Sequence, residues 1–175
     1  MRKKLTAKYV CSLLSYNMDN GLFIWKERPG KNQWNSAHSG RVAGSNSCRD
    51  KIESGYTVIT IDGCPYQAHR LAWLLKYGEW PTKDIDHKDR DGTNSRIENL
   101  RLATRSENRS NQKKPKNNTS GFKGVTWHKS ARKWQAAIVT DGKFKYLGIY
   151  DSAEDAHAEY CREAIRRRGE FARFA

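Results

Sequence analysis

The chain has 175 residues, enough for one domain or two small ones, with 37% hydrophobic residues and a mean hydropathy of −0.93. Eight Tyr, six Trp and five Phe argue against a disordered chain. No stretch approaches the roughly 18 consecutive apolar residues of a membrane span. The basic start Met1-Arg2-Lys3-Lys4 lacks the apolar segment of a signal peptide. We therefore expect a soluble protein of the cytoplasm.

Positive charge is spread along the whole chain. The net charge is +14 and the isoelectric point is near 9.8. Residues 1–64 carry +5, residues 65–115 carry +4 and residues 116–175 carry +5, so no basic tail accounts for the excess. This distribution predicts a polyanionic partner, nucleic acid first. The alternative is a basic protein whose charge only keeps it soluble.

The four cysteines, Cys11, Cys48, Cys64 and Cys161, are widely spaced and form no C-x-x-C pair. This spacing argues against a structural zinc site. Free thiols are typical of a protein in a reducing compartment.

The first third of the chain predicts a short helix, a strand and a loop. Thr6 is the expected N-cap of the helix, and Leu13 and Leu14 belong to its apolar face. A strand is expected over 22–25. Residues 28–55 are rich in Gly, Ser, Asn and charge, which predicts an irregular loop.

A β-hairpin followed by a helix is expected next. Residues 56–68 form two apolar runs around Asp62-Gly63, which is typical of a tight hairpin turn. The helix is predicted over 69–77, and Gly78 ends it.

Residues 82–108 are dense in Asp, Asn, Arg and His and poor in apolar periodicity, so we expect the chemistry of the protein here. Thr104 and Glu107 form a capping box that opens a helix containing Asn108. The stretch 110–118 has no apolar residue and predicts a linker that lies along a phosphate backbone.

Beyond Ser120 the pattern predicts a second small domain. Strands are expected over 122–127, 133–139 and 143–148, with a hairpin turn at Asp141-Gly142. A helix that begins after Ser152 and ends at Gly169 would pack across them.

Asp86 and His87 place a carboxylate beside an imidazole at the start of a short strand, with Asn99 and Asn108 following. Metal-dependent phosphodiester cleavage needs a base and a divalent cation, and an Asp with an Asn carbonyl supplies the oxygen ligands that Mg²⁺ prefers. In a regular strand the Asp86 and His87 side chains point to opposite faces, so their convergence requires a local kink.

This region resembles the HNH endonuclease family, specifically its phage and intron-encoded homing enzymes. The residues that carry the resemblance are Asp86-His87-Lys88-Asp89, Asn94 to Arg101, Ala103 to Asn108, and upstream Ala68 to Trp73. The resemblance implies that His87 is the general base, that Asn99 orients it or the loop, and that Asp86 and Asn108 bind one Mg²⁺ or Mn²⁺. Asn108 stands where the family name has His, which matches the phage homing branch and argues against zinc or nickel.

Two other interpretations of these residues exist. His87, Asp89, Asp91, Gly92 and Glu98 match the spacing of a calcium-binding EF-hand loop, although its first position should be Asp. Alternatively, the Asp and Asn residues only cap turns and helices. The ordered spacing of the whole set favours the nuclease. His69 either contacts phosphate or is a structural histidine, and we favour the structural role.

The C-terminal segment resembles the Apetala-two/ethylene-response-factor DNA-binding domain. The matching residues are Gly121 to Val125, Lys133 to Ile138, Tyr146 to Gly148 and Ala153 to His157. The resemblance implies that the sheet enters the major groove, although Thr126 and Ser130 replace base-reading arginines and the plant target does not transfer. The predicted DNA-binding residues are Lys123, Trp127, His128, Lys129, Arg132, Lys133, Lys143, Lys145 and Tyr146. Trp134, Leu147 and Tyr160 are expected in the core.

The predicted fold class is α+β, with a ββα-metal (HNH, His-Me finger) nuclease domain and a small three-stranded antiparallel sheet packed on one helix. We expect an accessory region over 1–55, the nuclease domain over 56–110, a basic linker over 111–119 and the DNA-binding domain over 120–175.

The predicted function is a site-specific, metal-dependent DNA endonuclease of phage type that nicks double-stranded DNA as a monomer. A double-strand break would require a dimer or a second event. The alternatives are a DNA-binding regulator without catalysis and a non-specific nucleic-acid coating protein.

Overall fold

The computed structural model describes residues 5–46, 55–111 and 118–174. The chain folds into two compact units, Met1–Leu102 and Ala103–Ala175. The proposed linker over 111–119 lies mostly outside the described residues. No helix in the described part of the chain has the length and apolarity needed to cross a membrane.

The first unit begins with helix α1 (Ala7–Leu13), and the predicted cap is confirmed because the Thr6 side chain accepts a hydrogen bond from the Tyr9 amide. Strands β1 (Leu14–Tyr16) and β2 (Phe23–Trp25) then pair as an antiparallel hairpin. The assignment of Leu14 to the helix was wrong, because its backbone is extended and pairs with Trp25.

The region 28–55 was predicted to be irregular, and this prediction was wrong. It contains helix α2 (Asn32–His38) and strand β3 (Ser45–Asn46). Helix α2 has no side-chain cap at its start, and its side chains contact the segment just before it. The Asn35 amide exchanges hydrogen bonds with the backbone of Arg28, whose guanidinium lies 3.9 Å from the centre of the Trp34 ring.

The predicted hairpin and helix of residues 56–77 are confirmed. Strands β4 (Thr57–Ile61) and β5 (Cys64–Gln67) pair in antiparallel register, with β3 on the outer side of β4. Asp62 and Gly63 both have positive φ, as the tight hairpin turn requires. Helix α3 (Ala68–Tyr77) follows directly and ends at Gly78, which adopts the left-handed conformation.

Strands β6 (Asp84–His87) and β7 (Leu100–Ala103) form a two-stranded sheet, and a 3₁₀ turn (Ile97–Asn99) precedes β7. The core of the first unit combines α1, β2, β4, α3 and these strands. Its buried side chains include Val10, Phe23, Ile59, Leu71, Ile85 and Leu100. The N-terminal elements therefore share one hydrophobic core with the strand that carries Asp86 and His87.

The second unit contains helix α4 (Arg105–Ser110), whose capping box of Thr104 and Glu107 is formed as predicted. Strands β8 (Val125–His128), β9 (Lys133–Thr140) and β10 (Lys143–Tyr150) form an antiparallel sheet with β9 in the centre. Helix α5 (Ala153–Arg168) packs on one face, and a 3₁₀ turn (Gly169–Phe171) follows it. The expected α+β class, with small antiparallel sheets and a helix packed on the C-terminal one, is confirmed.

Candidate active site and nucleic-acid surface

His87 lies at the end of β6 in a cluster of three aromatic rings. Its side chain is 4% exposed. The ring of His69, in the first turn of α3, meets it edge-on at 4.9 Å between centroids, and the Tyr56 ring lies 5.6 Å away. Tyr56 also lies 5.1 Å from His69, so the three rings are in mutual contact. A hairpin, a helix and a strand thus meet around one imidazole.

Burial controls the protonation state of both histidines. Desolvation lowers the pKa of His87 below its usual 6.5, although the nearby carboxylates of Asp89, Asp86 and Asp91 raise it in part. Desolvation, with His87 and Arg70 nearby, lowers the pKa of His69 to about 3. Both imidazoles are therefore neutral at pH 7, and a neutral imidazole is the form that can accept a proton.

His69 is buried in the same ring cluster, and the structural role favoured from the sequence stays a prediction. It is 4% exposed, and among the described residues its Nδ1 atom has no hydrogen-bond partner. Its contacts are with the rings of Tyr56 and His87.

Asp86 is buried beside His87 and forms an ion pair across the sheet. It is 5% exposed, and its Oδ2 atom accepts contacts of 2.8 Å from both Nε and Nη2 of Arg101 on β7. Arg101 ends one of the stretches that carry the family resemblance, but no role was predicted for it from the sequence. Its place between Leu100 and Leu102, in a strand of alternating polarity, is the signal that could have indicated it.

Asn99 stabilises the loop that joins β6 to β7 through hydrogen bonds. Its side-chain oxygen accepts a hydrogen bond from the Asp89 amide at 3.0 Å, and its Nδ2 donates to Asp89 Oδ1 and to the Asn94 carbonyl. Its backbone carbonyl accepts a hydrogen bond from the Lys88 amide. Asn99 thus holds the residues immediately after His87, and it orients this loop through backbone and side-chain contacts.

Asp89 is engaged inside the same loop. Burial raises its pKa, but hydrogen bonds from the Asp91 amide and from the Asn94 and Asn99 side chains outweigh burial and lower the pKa below its ordinary value. The described residues contain no group of three or more His, Cys, Asp or Glu side chains that could hold a metal ion. The loop geometry therefore gives no support to the calcium-binding alternative.

Two further contacts position the loop, and no local sequence pattern indicated either of them. The Tyr16 hydroxyl donates a 2.6 Å hydrogen bond to the Ser95 carbonyl, and burial raises the pKa of Tyr16 to about 12. A Cβ atom at Gly92 would lie 2.7 Å from the Tyr56 ring and 2.8 Å from the Gly55 carbonyl oxygen. Only glycine lets the loop approach Tyr56, which in turn contacts His87.

Asn108, the second predicted metal ligand, lies on α4 in the second unit. Within that unit the helix is tied to the sheet, because Ser106 Oγ accepts a hydrogen bond from the Asp141 amide. Arg173, 8% exposed, donates a 2.9 Å hydrogen bond to the Asn111 carbonyl at the end of the helix. Asp86, His87 and Asn99 lie together in the first unit.

The predicted DNA-binding residues occupy different parts of the second unit. His128, Lys133 and Tyr146 alternate onto the face of the sheet opposite α5, and Lys129 and Arg132 lie in the turn between β8 and β9. Lys123 precedes β8, and Lys143 begins β10.

Two of the predicted residues lie on the α5 side of the sheet. Lys145 forms a 2.9 Å ion pair with Glu163, and the Trp127 ring packs edge-on against Trp134. Trp134, Leu147 and Tyr160 pack in the core as expected. The opposite face is more aromatic and apolar than basic, with Val139, Phe144 and Tyr146 at least half exposed.

The sequence of this chain is similar to those of known proteins. Residues 66–110 match the profile of the HNH endonuclease family. Protein 3.8 of Escherichia phage T7 is 40% identical over 107 residues, which cover 61% of this chain and 88% of that protein.

Two further similarities are more limited. APETALA2-like protein 2 of Oryza sativa subsp. indica is 38% identical over 55 residues, or 31% of this chain, and the match spans 13% of the plant protein. A solved structure titled "DNA binding and cleavage by the HNH homing endonuclease I-HmuI" aligns with 88% of this chain and 84% of its own, at 19% identity and a TM-score of 0.39. At that TM-score the likeness carries no argument about this chain.

Proposed function

The chain belongs to the HNH endonuclease family, and on that premise we propose that it is a site-specific, divalent-metal-dependent DNA endonuclease of the homing type that nicks one strand. The observation that carries the proposal is the neutral, buried imidazole of His87, held by Tyr56 and His69 beside the carboxylate of Asp86.

His87 acts as the general base in this proposal. It takes a proton from a water molecule whose oxygen attacks the phosphorus, and the bond from phosphorus to the 3′ oxygen breaks. The leaving 3′ oxygen takes a proton from solvent, so the products are a 5′ phosphate and a 3′ hydroxyl, and the imidazolium returns its own proton to solvent. Because burial lowers the pKa of His87, the base remains available below pH 6.5.

Asp86 and Asn108 are the proposed ligands of one Mg²⁺ or Mn²⁺ ion. A carboxylate and a carboxamide oxygen are the hard donors that these ions prefer, so the donor set fits. The bound ion would stabilise negative charge on the leaving oxygen. Since no larger cluster of ligands exists in the described parts of the chain, water and phosphate oxygens would complete the coordination. Arg101 fixes the Asp86 carboxylate through two contacts to one oxygen.

Asn99 is a positioning residue in this scheme. Its contacts to Asp89, Asn94 and Lys88 hold the backbone that follows His87, so the imidazole approaches the phosphate from a fixed direction. This arrangement supplies orientation, which is a large part of enzymatic rate enhancement.

The second unit is the proposed DNA reader. Support comes from its sheet-and-helix architecture and from the partial similarity to a plant APETALA2-like protein. The face opposite α5 presents Tyr146 and Lys133, with Lys129, Arg132 and Lys143 at its ends. Binding through this unit would raise the effective concentration of the nuclease at its target. The proposed partner is double-stranded DNA in the host cytoplasm, bound by a monomer.

Conversion of a supercoiled plasmid carrying host or phage DNA tests the proposal. Wild-type protein in Mg²⁺ should produce nicked circles, and EDTA should prevent their formation. His87→Ala should slow nicking by roughly 100- to 10,000-fold, the usual contribution of a general base. His38→Ala is the matched control, because it removes an exposed histidine from the same unit.

The outcomes separate the candidate functions. Linear product in place of nicked circles would refute the monomeric nicking mechanism. DNA binding without cleavage in any divalent metal would instead support the regulatory DNA-binding protein. Cleavage that survives in His87→Ala would show that another residue is the base.

A further inference from the structure

A basic cavity of about 500 Å³ lies within the second unit. Helix α4 forms one wall with Arg105, Ser106 and Arg109, and the end of α5 contributes Arg168. Ile138 and Tyr160 form an apolar floor. None of these α4 or α5 arginines was predicted to bind DNA, and none belongs to the sheet face opposite α5.

Most of the charged side chains that line this cavity are cationic. Four of them, Arg105, Arg109, Lys123 and Arg168, face it, and Asp141 is the one carboxylate among the lining residues. Charges beside an apolar floor are poorly screened, so the cavity attracts anions more strongly than an open surface with the same residues.

Arg168 forms a fixed part of this wall. Its guanidinium donates hydrogen bonds to the Val139 carbonyl at 2.7 Å and to the Tyr160 hydroxyl at 3.0 Å. These contacts hold the charge in place at the end of β9. Ser106 ties α4 to the turn after β9 through the Asp141 amide, so the two sides of the cavity are joined.

Arg105 and Arg109 are different, because their side chains make no hydrogen bond or ion pair with any described residue, and both are exposed. They stand four residues apart on a short helix, where like charges are neighbours and destabilise it. Arg105 is also the first helical residue, next to the positive end of the helix dipole. Glu107, the acidic residue of the first turn, offsets part of this positive charge, but its carboxylate is engaged in the capping box with Thr104. A bound anion would offset the rest.

We propose that this cavity binds phosphates of the DNA backbone through Arg105 and Arg109, an inference that rests on the proposed action on DNA. A guanidinium matches a phosphate with two parallel hydrogen bonds, which a lysine does not. Asn108 lies between the two arginines in the sequence of α4, so the same contact would hold the helix with the proposed metal ligand against the substrate.

Salt dependence of DNA binding tests this inference, measured by fluorescence anisotropy with a labelled duplex in EDTA. Each neutralised phosphate contributes about 0.9 to the slope of log affinity against log salt. The double variant Arg105→Gln/Arg109→Gln should therefore lower the slope by about 2, and the affinity lost between 50 and 200 mM salt should be about twelvefold smaller. The loss should be independent of DNA sequence.

The matched control is Arg162→Gln/Arg166→Gln, which removes two arginines at the same spacing from α5, outside the cavity, and should keep the wild-type slope. A charge-preserving variant, Arg105→Lys/Arg109→Lys, should bind more weakly but also keep that slope. This second variant keeps the inference testable if the glutamine variant fails to fold by circular dichroism, because an unchanged affinity would then refute it.

An unchanged slope in a folded glutamine variant would overturn the inference even if the wild type nicks DNA. Because binding is measured without metal, loss of nicking in the plasmid assay leaves this test unaffected. A wild-type protein that shows no salt-dependent binding to DNA would overturn both this inference and the proposed function.

Discussion

Acidification should destabilise the first unit through His69. This imidazole is 4% exposed and touches Tyr56 and His87, and its pKa in the folded protein is about 3. The unfolded chain has an ordinary histidine pKa near 6.5. The unfolded state therefore binds more protons below pH 6.5, and the free energy of unfolding decreases as the pH falls from 6.5 towards 3.

The size of the effect follows from the two pKa values. Each pH unit below 6.5 lowers the free energy of unfolding by about 1.36 kcal/mol until the pKa of the folded state is reached. At pH 5 the free energy of unfolding is therefore lower by about 2 kcal/mol. The lowered pKa of His87 adds to the loss in the same direction. The pKa of Asp89 is lowered from 3.8, so this carboxylate changes the free energy of unfolding only at pH values below about 5.

Urea unfolding at pH 8 and pH 5 measures this loss, and His69→Phe removes the titrating group while keeping a ring in the cluster. The variant should lose about 2 kcal/mol less than the wild type between the two pH values. His38→Phe, at an exposed position of the same unit, is the control and should lose as much as the wild type. Equal losses in wild type and His69→Phe would refute the assignment of a neutral, buried His69.

Two further substitutions test how the loop after His87 is held. Gly92→Ala would place a methyl group 2.7 Å from the Tyr56 ring, which should cost about 1–3 kcal/mol in urea unfolding and slow nicking. Gly55→Ala has open space and is the control; an equal effect of both changes would contradict the clash. Asn99→Ala leaves the Asp89 amide without its acceptor, and should cost about 1–3 kcal/mol with slower plasmid nicking. A variant of wild-type stability that loses cleavage would instead indicate direct contact between Asn99 and the substrate.

Local chemistry made much of this protein predictable from its sequence. Asp62-Gly63 and Asp141-Gly142 indicated both hairpins, because these pairs tolerate the positive φ angles that such turns require. Thr6 and Thr104 marked helix starts through hydrogen bonds to nearby amides. The ordered spacing of Asp86, His87, Asn99 and Asn108 indicated the family resemblance, because a motif confined to a short stretch can be recognised in a single sequence.

Contacts that no local pattern encodes decided the rest. Helix α2 was missed because no side-chain cap marks its start, while Trp34 and Asn35 contact Arg28 before the helix begins. Tyr56 and His69 meet His87 only when a hairpin, a helix and a strand pack on one core. The sequence alone determined which residues are suited to the chemistry. The tertiary structure decided the neutral state of His87, because removal from water, which lowers an imidazole pKa, exists only in the folded chain.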